Sequence, residues 1–244
     1  MGRHLFLRAN ASRWQEEQAW DADGATLLLV RVRRAAGERQ QLVGAGEPGE
    51  PGALASALAR AAADGVPPVP FGLLTRGTWD LVPADARERL GLRTGPVWDW
   101  MWSAAVPPLQ PGEEHVGPVT GPAAAEEVRA CLSRANPDTS ADPADPDLAW
   151  WGYRDDAGVL RGVVAVNAPE GGPVHLSGLG TDTSWRRRGV GSAMMAAVTR
   201  WALEEHPLVH YGIWTDNDAA RRIYTRLGYA VGQAVENVVS RPTD

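Results

Sequence analysis

Arg186-Arg187-Arg188-Gly189-Val190-Gly191-Ser192-Ala193 is the stretch on which the fold turns. It follows a run with strand periodicity and opens another, Gly189 to Glu205, in which Val190, Met194, Val198 and Trp201 recur at helical spacing. Glycines at 189 and 191 let a ligand approach the backbone without meeting a side chain, and the first N–H groups of a helix have no intrahelical acceptor. Such a turn binds anions. The partial positive charge of the helix end, with the three arginines, suits a pyrophosphate better than a single carboxylate. No Gly-Lys-Ser/Thr follows, so the turn is not a P-loop. It carries only two glycines and follows an antiparallel run, which excludes the dinucleotide fingerprint. Taken alone, the segment also fits an ordinary helix start.

Working outward, Leu148 to Arg154, a turn at Asp155-Asp156-Ala157-Gly158 and Val159 to Asn167 predict a hairpin, with Val174 to Thr181 as a third antiparallel strand. Beyond the helix, Val209 to Thr215 reads as a strand and Asp218 to Leu227 as a helix ended by Gly228. Val231 to Ser240 supplies one or two last strands. On the amino side, Pro122 to Ala135 predicts a helix with Glu126 and Glu127 in its first turn and Val128 and Leu132 inward. Cys131 within it reads as a packed small hydrophobe and not as a reactive thiol. Asn136 to Asp147 is a proline-broken loop whose aspartates 138, 142, 145 and 147 are either solvated or an acidic lip for a cationic substrate.

Val106 to Pro118 holds Pro107, Pro108, Pro111 and Pro118 with Gly112 and Gly117, a composition that forbids helix and discourages sheet. A domain boundary is therefore expected near residue 113, dividing a smaller α/β domain, residues 1–112, from a second domain, residues 113–244. In the first, Thr26 to Arg33 and Gln40 to Gly44 read as strands, Leu54 to Ala63 as a helix, and Phe71 to Val82 as an extended piece. Pro83 to Leu90 reads as a helix and Val97 to Trp102 as a strand. Trp98, Trp100 and Trp102 alternate along that strand, and either pack against a helix or wall an acceptor pocket. No chemical motif is found there.

With 244 residues, 44% hydrophobic and 22% charged, the chain has the composition of a folded protein of one or two domains. No apolar run reaches the roughly 18 residues of a membrane span, and the amino end shows no processing signal, so a cytoplasmic protein without a membrane partner is expected. A single cysteine and five histidines make a poor metal frame, and no metal is expected. The net charge of −6 disfavours nucleic acid as a main partner. Every one of the 24 basic residues is arginine, a bias that looks like GC-rich coding sequence.

Asn217-Asp218-Ala219-Ala220-Arg221-Arg222-Ile223-Tyr224-Thr225-Arg226-Leu227-Gly228-Tyr229 adds a second pattern, directly after the next strand. Together the two segments resemble the GCN5-related N-acetyltransferase (GNAT) superfamily. Its Gln/Arg-x-x-Gly-x-Gly/Ala motif is met by Arg186, Gly189 and Gly191. Its Asn-x-x-Ala-x-x-Leu/Ile-Tyr-x-x-Leu-Gly-Phe/Tyr pattern is met by Asn217, Ala220, Ile223, Tyr224, Leu227, Gly228 and Tyr229. The resemblance covers about residues 114 to 240, and the first domain could be a degenerate half-copy on the acceptor side.

The resemblance implies a mixed, mostly antiparallel α/β sheet with flanking helices, and acetyl-CoA as acyl donor to an amine whose identity the sequence does not give. It implies that Val174–Thr181 splays from Val209–Thr215, that Leu179, Gly180 and Thr181 pair with the pantetheine arm, and that amides of Arg187, Arg188, Gly189, Val190, Gly191 and Ser192 hold the pyrophosphate. Asn217 is implied to hydrogen-bond the arm and Tyr224 to protonate the leaving thiolate. The strand holds no glutamate for a base; His175 is the candidate, with Asp182 and Glu236 as weaker ones. Thr181 to Trp185 departs from the Val-x-Pro-x-x that usually precedes the glycine turn. A non-catalytic acyl-CoA-binding or regulatory module is the alternative function. The sequence allows a homodimer without arguing for one.

Overall fold

The computed structural model describes residues 4–34, 37–47 and 49–241. In chain order its elements are α1 (Leu5–Ala9), β1 (Gln15–Ala22), β2 (Ala25–Arg34), β3 (Gly37–Gly46), α2 (Gly52–Asp64), β4 (Phe71–Thr75), α3 (Ala84–Leu90) and β5 (Leu92–Ser103). There follow β6 (Val116–Pro118), α4 (Ala124–Ala135), β7 (Ala149–Arg154), β8 (Leu160–Asn167), β9 (Val174–Thr181), α5 (Val190–Ala202), β10 (Val209–Trp214), α6 (Asp218–Arg226) and β11 (Ala230–Ser240). The architecture is the expected mixed α/β one, with mostly antiparallel strands and flanking helices. It forms two compact units, one of Met1–Trp100, Ile213–Asp216 and Val231–Asp244, the other of Met101–Gly212 and Asn217–Ala230.

In the second unit the strands run in the order β10-β9-β8-β7-β6. Alternation along β8 sends Val163 and Ala165 to one face, where Val128, Cys131, Leu132 and Ala135 of α4 cover them together with Trp150. The opposite face lies under α5. Gly162 is needed there, since a Cβ would come within 2.6 Å of the Met194 methyl. The seam expected to discourage sheet nevertheless supplies β6, because Val116–Pro118 pairs at the edge with Tyr153, Gly152 and Trp151, a place where proline is tolerated.

Two irregularities shape this sheet. Residues 163 and 165 of β8 pair with 180 and 177 of β9, so β9 carries an extra residue, a bulge at Gly178, whose φ is +61°. β9 and β10 are parallel and pair only at Val174 with Val209 and His175 with His210, after which neither strand continues the ladder between them.

The first unit has the order β1-β2-β3-β4-β11-β5. α2 buries Leu54, Leu58 and Ala61 against Leu27, Leu29, Leu42 and Leu74 of the sheet. Phe6 of α1 meets Trp98 and Trp100 edge-on, with centroids 6.4 and 5.6 Å apart, so the alternating tryptophans are packing residues against a helix at these two positions. β1 escaped the sequence reading because it is polar along most of its length and buries only Trp20. The extended piece expected to reach Val82 ends at Thr75, where a turn at Gly77 and a 3₁₀ segment, Trp79–Leu81, take over.

This unit repeats a pattern of the other: three antiparallel strands, a helix, and a parallel strand that touches the third strand at two residue pairs, here Leu42 with Gly72 and Val43 with Leu73. Beyond those pairs, however, Thr75 Oγ1 on β4 accepts the Gly46 amide of β3 at 2.9 Å and the Gln233 side chain at 2.7 Å. The splay is stitched shut.

Candidate active site

The turn Arg186–Gly189 sets the start of α5. Gly189, the N-cap, has φ +85°, and no side chain caps the helix. The first intrahelical bond runs from Ala193 N–H to Gly189 C=O, which leaves the N–H groups of Val190, Gly191 and Ser192 without an intrahelical acceptor. A Cβ at Gly189 would meet nothing within 4 Å and one at Gly191 only Thr181 Oγ1 at 3.8 Å, so space lies in front of these donors. Arg187 has φ +62°, the one positive φ at a described residue other than glycine. With Arg188 between these two left-handed residues, the chain turns sharply ahead of α5 and leaves the N–H groups of its first turn facing outward, an anion cradle.

The arginines divide their tasks. Arg186, expected to face phosphate, donates instead to Thr181 C=O at 3.3 Å and Ala135 C=O at 3.1 Å, tying the turn to the end of α4. Arg188 stacks over Trp185, which Arg161 covers as well, at 4.9 and 5.2 Å. Asp182 is no base. It is buried, accepts from the Ser184 hydroxyl and amide and from Arg134 Nε at 3.2 Å, and lies 3.6 Å from Arg161. The Ser184 hydroxyl above all, then its amide and the Arg134 guanidinium, holds this carboxyl below the usual aspartate range against the opposing effect of burial.

The crevice begins where β9 leaves β10. The Leu179 carbonyl is already taken by Asn136 Nδ2 at 3.1 Å. Asp182 N–H donates to Arg161 C=O, so by antiparallel alternation Thr181 turns its N–H and C=O away from β8, while Gly180 turns toward it. Gly180 has a packing reason too, since its Cβ would lie 3.0 Å from Ala135 and Asn136. Of the ladder expected at Leu179, Gly180 and Thr181, the Thr181 amide is the donor left facing outward.

Two side-chain groups flank the crevice on opposite faces of the sheet. On the α5 side, Tyr224 packs edge-on against Tyr211, 4.4 Å between centroids, beside Tyr229. Tyr229 bonds Thr199 at 2.5 Å and Tyr211 donates to Met101 sulfur at 3.5 Å. Tyr224 alone of the three makes no hydrogen bond among the described residues. Burial raises its phenol above the ordinary tyrosine value, so it stays protonated.

On the α4 side, Val163 and Ala165 pair with Gly180 and Ser177, which puts Ser177 and His175 on that face. His175 is half-buried, and its Nδ1 lies 3.4 Å from Nδ1 of His210, which is fully buried. The Asn136–Asp147 loop covers the bulge on this face: a Cβ on Gly178 would stand 2.8 Å from Ala141 and 3.3 Å from Thr139 Oγ1. Its aspartates 142 and 145 accept backbone amides inside the loop.

The remaining sequence candidates are placed as follows. Asn217 spends its Oδ1 on capping α6 at Ala220 N–H, 3.1 Å, and keeps only its amide hydrogens for a ligand. Glu236 belongs to the first unit, where it accepts the Trp79 amide at 2.7 Å, a structural duty. Cys131 is buried and its thiol is pushed up to about 11 by burial, as befits a packed hydrophobe. Among the described residues no cluster able to hold a metal ion occurs, and no helix is long and apolar enough to cross a membrane. His210 and Gly178 were not singled out from sequence, although Val209-His210 repeats Val174-His175 on the strand next to it.

The model of the acetyltransferase (GNAT) family matches residues 122–229, which hold both the cradle and Tyr224. Among solved structures, the chain resembles a GCN5-related N-acetyltransferase from Kribbella flavida, with TM-score 0.60, 22% identity, and 99% of this chain and 98% of that one covered. It also resembles one from Sphaerobacter thermophilus, with TM-score 0.54, 16% identity, and coverage of 91% and 78%. At such identities the likeness is one of fold. No curated protein matches the sequence.

Proposed function

Residues 122–229 are a domain of the acetyltransferase (GNAT) family, and from that premise we propose that the chain is an acetyl-CoA-dependent N-acetyltransferase whose amine acceptor attacks the thioester directly in a ternary complex. The observation that carries this reading is the run of amides at Val190, Gly191 and Ser192, unpaired within the helix and facing open space at an α5 terminus preceded by Arg187 in the left-handed region. They fit a diphosphate, because several N–H donors and the helix dipole converge on it without a side chain intervening. The β9–β10 crevice receives the arm, with the Thr181 N–H and the Asn217 amide as its donors.

Chemistry then divides between the two faces of the sheet. His175 takes the proton of the amine as nitrogen bonds to the carbonyl carbon, and Tyr224 gives its proton to sulfur as the C–S bond breaks. The uncommitted Tyr224 hydroxyl supports the second role. A phenol made less acidic by burial favours a transfer completed late, along a hydrogen bond to sulfur, over prior ionisation. Charge flow returns to neutral when the imidazolium and the phenolate exchange a proton with solvent.

The first unit is read as a second copy of the pattern that no longer binds donor. Thr75 closes its splay, and Glu47 and Glu50 stand in the β3–α2 connection where the second unit has arginines. The test of the activity is incubation with acetyl-CoA and a panel of amines while free thiol is followed. Thiol release that depends on an amine is expected; cofactor binding with no release from any amine would reject it.

A further inference from the structure

The phenol of Tyr224 is buried, and no hydrogen bond among the described residues holds its hydroxyl. Its helix, α6, fixes the direction in which the side chain leaves the backbone. The hydroxyl oxygen lies on the Cβ–Cγ axis, so rotation about that axis leaves the oxygen in place and changes only the ring plane. The O–H bond of a phenol lies in that plane by conjugation, and χ2 of a tyrosine is a soft, two-fold torsion. The direction of the proton therefore depends on what grips the ring. Tyr211 of β10 is the neighbour that does so: the two centroids are 4.4 Å apart and the planes are inclined at 66°, whereas Tyr229 stands off at 6.2 Å. Tyr211 is itself held at its hydroxyl and at its ring. The hydroxyl donates to the Met101 sulfur at 3.5 Å, and the ring meets that of Tyr229 edge-on at 5.2 Å, while Tyr229 bonds Thr199. The two committed hydroxyls thus anchor the rings that flank the uncommitted one.

We propose that Tyr211 is a positioning residue for Tyr224: its edge-to-face contact fixes the Tyr224 ring plane and so points the O–H at the sulfur of the departing thiol. The assignment deepens the acetyltransferase reading and rests on it for the identity of the group that receives the proton. As the amine nitrogen bonds to the acyl carbon, the electron pair of the C–S bond passes to sulfur, sulfur takes the Tyr224 proton, and the phenolate regains one from solvent. The proton shed by the amine passes to the base on the other face of the sheet. Tyr211 transfers nothing. It touches only the ring of the acid, and a ring free to turn would present its proton to sulfur for only part of the time.

Ring flips of Tyr224 are the direct measure, read by NMR line shape and relaxation dispersion in protein carrying ¹³C at the tyrosine ε positions, with Tyr224→Phe fixing the assignment. In Tyr211→Leu the flip rate should rise by about tenfold or more, the scale on which a lost aromatic pair acts. In Tyr211→Phe, which keeps the ring, it should stay near the parent rate. Tyr211→Ile, a residue suited to a strand, is the second ring-free variant should leucine unfold the chain. A flip rate unchanged by loss of the Tyr211 ring overturns the proposal. This readout needs no turnover, so it decides whether Tyr211 orients Tyr224 separately from whether the chain acetylates amines.

Where thiol release is observed, Tyr211→Leu should lower kcat by roughly tenfold with acetyl-CoA affinity unchanged, and Tyr211→Phe should retain most of the activity. The loss should disappear in the Tyr224→Phe background, because a residue that acts through the acid then has nothing left to orient. Additive losses in the double variant, or a Tyr211→Phe enzyme as impaired as Tyr211→Leu, would also overturn it.

Discussion

Tyr224 sits in a stack of three tyrosines, and only the hydrogen bonds tell them apart. Tyr211 and Tyr229 have committed their hydroxyls to Met101 and Thr199. Replacing Tyr224 by Phe is therefore expected to keep the stack and the donor affinity while kcat falls by ~10²-fold, the usual scale for a lost general acid; steady-state kinetics with binding calorimetry checks it. At Asp182 the folded carboxyl titrates below its unfolded value. Its stabilising effect is complete above the ordinary aspartate range and is lost as pH falls through the depressed folded value. Melting temperature measured from pH 6 down to 3 should drop steeply at the acid end, and Asp182→Asn should start lower and flatten that drop.

The motif put Tyr224 on a helix directly after a strand, and the structure has it there, on α6. The sequence reading set His175 ahead of Asp182 and Glu236 without showing what occupies the two carboxylates. Those partners are distant in the chain: Arg134 for Asp182 and Trp79 for Glu236, 48 and 157 residues away.

At the scale of elements, the anion cradle and the bulge both store unusual backbone conformations. Gly189→Ala finds room for its methyl group but must hold φ +85°, so about 1–2 kcal/mol of stability should be lost and the KM for acetyl-CoA should rise. Arg187→Gly should melt no lower than the parent, because relief of its left-handed strain offsets the added freedom of the unfolded chain. Gly178→Ala combines a positive φ with a 2.8 Å approach to Ala141, and should displace the loop over the bulge and reduce kcat. Denaturant melts and kinetics on the three variants separate these outcomes. Periodicity revealed the elements with buried faces, from the Leu148–Asn167 hairpin to α5. It missed β1, whose exposed side chains carry no alternation, and the bulge, since an extra residue leaves no trace until a neighbouring strand is paired with it.

For the whole molecule, the sealed splay of the first unit implies one donor per chain, and calorimetric titration with acetyl-CoA should give a stoichiometry of one. Two equivalent sites would contradict the role assigned to Thr75. The last strand raises a different issue. β11 lies between β4 and β5, where Val235 pairs with Thr75, Val238 is fully buried and Asn237 bonds the Trp98 indole. Removing residues 230–244 should therefore expose β4 and β5 to hydrogen exchange although neither is altered, and that exchange pattern is the check.

The same placement governs how the polypeptide matures. Translation delivers β4 and β5 long before their shared neighbour, and the gap between them can be filled only when β11 leaves the ribosome. The first unit is thus completed only after the elements of the second have been made. Until then its open strand edges invite pairing with other nascent chains, a hazard that grows with any pause in synthesis after residue 100.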